Sequence, residues 1–329
     1  ESSARATGQR YAFNTIGPMA GAVAAGFALL PVVGMERAIL ALAILAVAAG
    51  LVFVFRSGAS AAAVRAVAGA VVVCLAVSVM RPPALNEKIL SSGAYFGAWN
   101  FLRNGKVALL DQLRTERLLL YREGKTSTVS ATRSENETLQ FVVNGKVEAD
   151  TSSRSMVLQR MMGHLPMLFH PNARCVLNIG MGAGMTLGAL GCYPVSRLEV
   201  VEIEPMVREA ARIFGRKNGH VVERSDLVVT INDGRNLVFA TARQYDVITS
   251  DPFEPVAAGA ANLYTVEHFE QVKGRLAPGG IAAQYVPLYE MSKEDYGTIV
   301  KTFVHVFPSS LLFYTGYDTI LVGWKDECK

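Results

Sequence analysis

Three long apolar runs open the chain, and short apolar strands alternating with amphipathic helices close it. Between Arg10 and Glu36 lie 25 residues without a charge, between Arg37 and Arg56 another 18, and between Arg65 and Arg81 a further 15. A membrane-spanning helix needs about 20 apolar residues, with roughly 17 to 25 tolerated. The third run reaches that length if Arg65 extends to the interface on its aliphatic stem. No run shows the polar face that a soluble bundle requires, so residues 1–84 are expected to hold three transmembrane helices, at about 12–33, 38–55 and 62–80. Their tandem arrangement argues against a cleaved leader. Gly17 and Gly21 stand one helical turn apart and would let another helix, or a second copy, approach closely. The chain opens on Glu1, as a processed piece or the tail of a longer membrane protein would.

Past "RPPALNE", Arg81 to Glu87, the texture changes. Two prolines stop the helix, and charges resume. An amphipathic stretch over about 88–120 carries Tyr95, Phe96, Trp99 and Phe101, aromatics that suit a membrane interface. Alternating segments follow, "LLLYREG", "STVSATR" and "LQFVVNGKVEA", with Asn144-Gly145 as a hairpin turn. Residues 85–152 are therefore read as an interfacial helix plus a small antiparallel β-domain. From 153 to 329 the strands "RCVLNIG", "RLEVVEIE", "LVVTIND", "YDVITSD" and "GGIAAQYV" alternate with helical patterns such as "PMVREAARIFGR" and "TVEHFEQVKGRL". Near-continuous apolar strands separated by helices predict an α/β, Rossmann-like parallel sheet covered on both faces. "SSLLFYTGYDTILVGWK" predicts an antiparallel edge hairpin around Gly316.

Charge narrows the partners. Residues 1–88 hold seven Lys/Arg against three Asp/Glu, so the remaining residues carry 25 of each sign and are neutral. A nucleic-acid binder needs a basic face, and none is present. Arginines fall on both sides of the apolar runs, so orientation is left open. The four cysteines, Cys74, Cys175, Cys192 and Cys328, have neither paired nor Cys-x-x-Cys spacing, and indicate no disulfide framework and no metal site. His164 and His170 are read as packing or helix-end residues.

Ligands of an open α/β sheet bind at the carboxyl ends of its strands. Four signals fall there. "IGMGAGMT" places Gly180, Gly182 and Gly184 directly after the first strand, where glycine permits a tight turn and close approach of a ligand to the backbone. Glu202 ends the second strand, where an acid can hold ribose hydroxyls. Asp233 follows the third, positioned to accept from an adenine amino group. Asp251 ends the fourth within "SDPFEP", with Glu254 held between Pro252 and Pro255. An amine has a pKa of about 10 and arrives as an unreactive cation; a carboxylate can hold it and accept its proton as the nitrogen attacks. "VPLYEMSKEDY" is read first as a capped helix start, with Ser292 as N-cap and Asp295 three residues on, and second as a roof for the site through Tyr285 or Tyr289.

Residues from about Leu118 to Trp324 resemble the spermidine synthase (polyamine aminopropyltransferase) family. The matching pieces are "HLPMLFHPNARCVLNIGMGAGMT", "LEVVEIEP", "NDGR", "YDVITSDPFEPVAAGAANLYTVEHF" and "LAPGGIAAQYVPLYE". The N-terminal "RYAFNTIGPMAGAVAAGFALLP" resembles the membrane-embedded branch, in which the domain follows transporter-like helices. The resemblance implies an S-adenosylmethionine-dependent transferase fold. It implies that Gly180, Gly182, Gly184, Glu202 and Asp233 cradle the sulfonium nucleoside, that Asp251 with Glu254 does the proton chemistry, and that Gln159, Glu254 and Tyr264 line the amine site. Departures accompany it. Ala183 replaces an Asp of the soluble enzymes, Leu158 a Tyr, Arg160 a Glu, and Glu254 an Asp. Loss of acids at 183 and 160 argues for a ligand that keeps a carboxylate, such as intact S-adenosylmethionine.

The leading reading is thus a membrane-anchored transferase moving an aminopropyl or related group from S-adenosylmethionine, decarboxylated or intact, to a small amine, without a metal. A methyltransferase using the same pocket is the alternative, as is a catalytically quiet nucleoside-binding or assembly subunit. Because the donor is made in the cytosol, a bacterial inner-membrane location with the soluble part facing inward is expected, in contact with lipid and other transmembrane helices or a further copy.

Overall fold

The computed structural model describes residues 2–56, 60–80, 86–93, 111, 113–252, 255, 259–289 and 291–326. It divides into two compact units, residues 1–90 with 123–125 and residues 91–122 with 126–329. In the first, helix α1 (Ser2–Ala24) continues through a π segment, Ala25–Leu29, and a further turn, Leu30–Val33. Gly34, at φ 81°, stops it, a left-handed conformation that costs glycine little. Helices α2 (Met35–Arg56) and α3 (Ala61–Met80) follow. Two stretches, Thr7–Leu29 and Met35–Phe53, are long and apolar enough to cross a membrane. That is two spans where the sequence pattern predicts three. The side chains at 73–80 of α3 lie outside the described residues. Of the expected interfacial stretch only α4 (Glu87–Ser91) and a helical turn at 113–115 are described. Tyr95, Phe96, Trp99 and Phe101 lie outside the described residues.

The second unit contains the small sheet the alternation predicts. Strands β1 (Arg117–Glu123), β2 (Thr128–Arg133), β3 (Leu139–Val143) and β4 (Lys146–Asp150) lie side by side in that order. Asn144 and Gly145, at φ 51° and 82°, make the two-residue turn that closes β3 onto β4.

A sheet of seven strands follows: β5 (Cys175–Ile179), β6 (Arg197–Glu202), β7 (Leu227–Ile231), β8 (Tyr245–Ser250), β9 (Leu276–Pro287), β10 (Ser310–Tyr314) and β11 (Asp318–Trp324). Their order is β10-β11-β9-β8-β5-β6-β7. The pairings from β7 to β9 are parallel, and β11 and β10 pair antiparallel, the edge hairpin expected from the sequence. Adjacent residues serve opposite faces: Val176, Val200 and Val247 join a core cluster with Phe214, whereas Leu177, Ile248 and Phe269 join another with Phe303. Each such buried side chain contributes about 1.5–3 kcal/mol.

Helices α5 (Ser153–Phe169), α6 (Met185–Leu190), α7 (Val207–Ile213), α8 (Gly234–Ala240), α9 (Val266–Arg275) and α10 (Lys293–Val306) cover this sheet. Ser152, Asp233, Thr265 and Ser292 each accept an amide hydrogen in the first turn of their helices. Strand order reverses between β5 and β8, which is where a doubly wound sheet opens a crevice. Ile179 and Ser250 are register partners there, so Gly180 and Asp251 leave the sheet side by side.

Candidate active site

The glycine loop after β5 is built from three left-handed residues, Gly180 at φ 87°, Gly182 at 50° and Gly184 at 80°. Their surroundings assign them different tasks. A Cβ at Gly180 would stand 3.4 Å from the carbonyl oxygen of Asp251, and one at Gly184 would meet Asn218 Nδ2 at 2.9 Å. One at Gly182 meets nothing within 4 Å, so that position presents bare backbone to open space. Gly184 therefore serves the start of α6, and Gly180 and Gly182 serve the cleft. Glu202, buried at the end of β6, fixes the loop from below: Oε2 accepts from Met181 N and Oε1 from Glu204 N, both at 2.9 Å. Burial raises its pKa, and the backbone donors pull it back.

A cavity of about 320 Å³ opens beside the loop, a size suited to a small organic ligand. Gly180, Gly182, Gln159 and Asp251 all line it. Among the described residues its charged walls are Glu148, Asp150, Asp251 and Asp318 against a single cation, Arg154. Asp251 is buried deep enough to push its pKa up to about 6. The Thr186 hydroxyl lowers it, and the charge of Asp318 raises it further. Thr186 Oγ1 shares its hydrogen between Gln159 O, at 2.9 Å, and Asp251 Oδ2, at 3.3 Å. Gln159 donates from Nε2 to Ser155 Oγ at 2.8 Å and to Ser155 O at 3.2 Å. Tyr285 donates to Asp318 Oδ1 at 3.1 Å and stands 3.2 Å from the Tyr289 hydroxyl. Burial raises the Asp318 pKa, with Tyr285 and then Arg154 opposing. Such a site can hold an ammonium and accept a proton from it near neutral pH.

Not every residue singled out from the sequence reaches this cavity. Asp233 does not line it and spends its carboxylate capping α8, with Oδ1 accepting from Arg235 N at 2.7 Å. Tyr264 is buried outside the lining, its phenol pushed far above the usual range by burial and then by the charge of Asp251. Glu254 lies outside the described residues. Arg160 is exposed on α5 and does not line the cavity; its charge acts instead on His164, which packs against Tyr193. The loop before α10 performs both jobs proposed for it, since Ser292 caps the helix while Tyr285 and Tyr289 line the cavity.

Several wall residues were missed: Glu148 and Asp150 from the small sheet, Arg154 from the first turn of α5, Thr186, and Asp318 from the start of β11. A signal existed only for Asp318, which follows Gly316-Tyr317 at the turn of a predicted hairpin. Among the described residues no group of three His, Cys, Asp or Glu converges as metal ligands do.

Residues 155–325 match the sequence model of the Spermine/spermidine synthase domain. The chain is similar to polyamine aminopropyltransferase 2 of Hyperthermus butylicus, 32% identical over 170 residues that cover 51% of this chain and 55% of that protein. A polyamine aminopropyltransferase of Klebsiella pneumoniae is 33% identical over 143 residues, covering 43% and 49%. The chain thus spans about half the length of the curated relatives it matches. Among solved structures, spermidine synthase from Thermotoga maritima superposes with a TM-score of 0.55 at 21% identity, over 64% of this chain and 73% of that one, a likeness of fold.

Proposed function

The chain belongs to the spermine/spermidine synthase domain family, and on that premise we propose that it transfers an aminopropyl group from decarboxylated S-adenosylmethionine to a small amine. The donor supplies a sulfonium-bound carbon open to nucleophilic attack, and its sulfur departs as a neutral thioether, so no general acid is needed. The residues present fit such a donor. Gly182 offers backbone without a side chain in the way, and Gly180 lets it lie against Asp251. Glu202 holds the loop through Met181 N and, with Asp233 at the next strand end, completes an acidic series at successive strands.

Asp251 acts as the base. Its pKa near 6 leaves it ionised at neutral pH yet basic enough to take the proton that the attacking nitrogen releases. Thr186 orients the carboxylate, and Glu254, from the same acidic motif of the sequence, is the second acid of the proton chemistry. Gln159, Asp318, Tyr285 and Tyr289 border the amine, with Tyr264 behind the wall. The observation that carries this reading is the wall charge: among the described residues three further carboxylates and one guanidinium share the wall with the buried Asp251, which favours a cationic acceptor. That count removes Arg160 from the sequence argument for intact S-adenosylmethionine, while Ala183, its other half, does line the cavity.

Two apolar helices support anchoring in a bilayer. The finer arrangement, three spans in a bacterial inner membrane with the catalytic part on the cytosolic side, follows from the third apolar run and the cytosolic origin of the donor. The test is product analysis with purified full chain. Methylthioadenosine formed from decarboxylated S-adenosylmethionine and putrescine, and lost in Asp251→Asn, is expected. S-adenosylhomocysteine from intact S-adenosylmethionine would instead indicate methyl transfer, and neither product a quiet binding subunit.

A further inference from the structure

Arg154 is out of place twice over. It stands in the first turn of a 17-residue helix, α5, whose N-terminal end already carries partial positive charge and disfavours a cation. Among the described residues it is also the one cation on a cavity wall with four carboxylates. It is not folded away onto them: its guanidinium lies over the ring of Tyr317, 3.2 Å from the centroid, so its hydrogen-bonding edge is free to serve a planar anion. Ser152 and Ser155, from the same helix start, share the wall with it.

Its place along the cavity is set by its neighbours. Gly180 of the donor loop abuts the backbone of Asp251, whereas Arg154 stacks on Tyr317, the chain neighbour of Asp318, whose carboxylate accepts from Tyr285. Arg154 therefore stands at the Asp318–Tyr285 wall, which the proposed function gives to the acceptor. We infer that the acceptor is an amine that also carries a carboxylate, with its ammonium among Asp251, Asp318 and Tyr285 and its carboxylate on Arg154. This rests on the transferase reading above and gives that site its substrate class. A diamine would set a bare second ammonium against the guanidinium, whereas a diamino acid of similar length neutralises that ammonium with an adjacent carboxylate that can meet the guanidinium.

Titration calorimetry of the full chain in detergent compares putrescine with ornithine, which is the putrescine skeleton plus one carboxylate. Ornithine should bind roughly tenfold or more tightly than putrescine, as expected for one charge-assisted bidentate contact. Arg154→Gln should remove that preference by weakening ornithine and leaving putrescine unchanged or tighter, and Arg154→Lys should restore part of it. A wild-type preference for putrescine, equal weakening of both amines in Arg154→Gln, or binding of neither would overturn the inference. So would a variant that loses affinity for intact S-adenosylmethionine alone, since the carboxylate would then be the donor's. Failure to form methylthioadenosine from any amine, with the ornithine preference intact, would sink the transferase reading and leave this one standing.

Discussion

Leu177 and Leu45 are the same side chain in opposite settings. Leu177, in the middle of β5, is fully buried between the sheet and its helices, while Leu45, in the middle of α2, is 65% exposed. The contrast runs through both regions. The sheet covers its own apolar residues on two faces, so water supplies the driving force; inside, Asn178 and Thr249 pair with each other, whereas Ser250 Oγ and both ring nitrogens of His268 have no hydrogen-bond partner among the described residues. Among the described residues Phe13, Phe27, Val32 and Phe53 of the first unit's helical stretches are exposed, apolar surface that a bilayer or another protein would stabilise by covering. Equal hydrophobicity therefore says little by itself. What separates an anchor from a core is whether the chain supplies the covering.

The sharpest way to break this contrast is to place one charge in each setting. Leu177→Arg should abolish folding of the catalytic part, because an unpaired buried charge costs several kcal/mol against a total stability of about 5–15; circular dichroism and protease resistance would show it. Asp251→Asn should leave the fold intact and lower methylthioadenosine formation by roughly 10²–10⁴, the usual contribution of a general base. Asp251 also has a stability signature of unusual sign. Its folded pKa, about 6, lies above its ordinary value of 3.8, so the folded chain binds the proton more tightly and stability falls as pH rises between those values. The Asn variant should therefore melt higher than wild type above pH 6, even as activity vanishes.

Smaller effects sharpen the picture. The pH profile of kcat/KM should rise through about 6 to a plateau, losing about tenfold per unit below it, and a profile flat down to pH 4.5 would remove Asp251 from the base role. Gly182→Val places branched carbons in the open space over the loop at φ 50°, adding strain of roughly 1–2 kcal/mol, and should weaken an adenosyl donor about tenfold in equilibrium binding. Least of all, Leu45→Arg should cost roughly 2.5–3.5 kcal/mol of membrane insertion and shift part of the chain into the carbonate-extractable fraction, leaving turnover in detergent unchanged.

Sequence reading did best where a local rule forces the answer. Asn144-Gly145 can hardly be anything but a tight turn between alternating strands, and the apolar strands "CVLNI" and "VVE" suit only a sheet buried on both faces. Gly180 and Gly182, read at a strand end, line the cavity and Glu202 holds their loop, whereas Asp233, read in the same series, does not reach it. The opposite wall was not legible. Glu148, Asp150 and Asp318 reach it from a separate sheet and from a strand about 170 residues downstream of β4, and no spacing along the chain reveals which way they face. The arginine that matters shows the same limit. Residues 154 and 160 share one helix, but only the former turns toward the cavity, and the charge inventory changes from walls short of acids to acidic ones.

The reversed direction of β11 has a practical corollary. Because it runs against its neighbours, its beginning rather than its end meets the mouth of the cleft, so Asp318, its first residue, lines the cavity, with Tyr317 just before it at the hairpin tip, under Arg154. That tip hangs from an edge hairpin and takes no part in the crossovers that hold the parallel strands. A library confined to those two positions could retune the choice of amine while leaving the adenosyl seat as it stands.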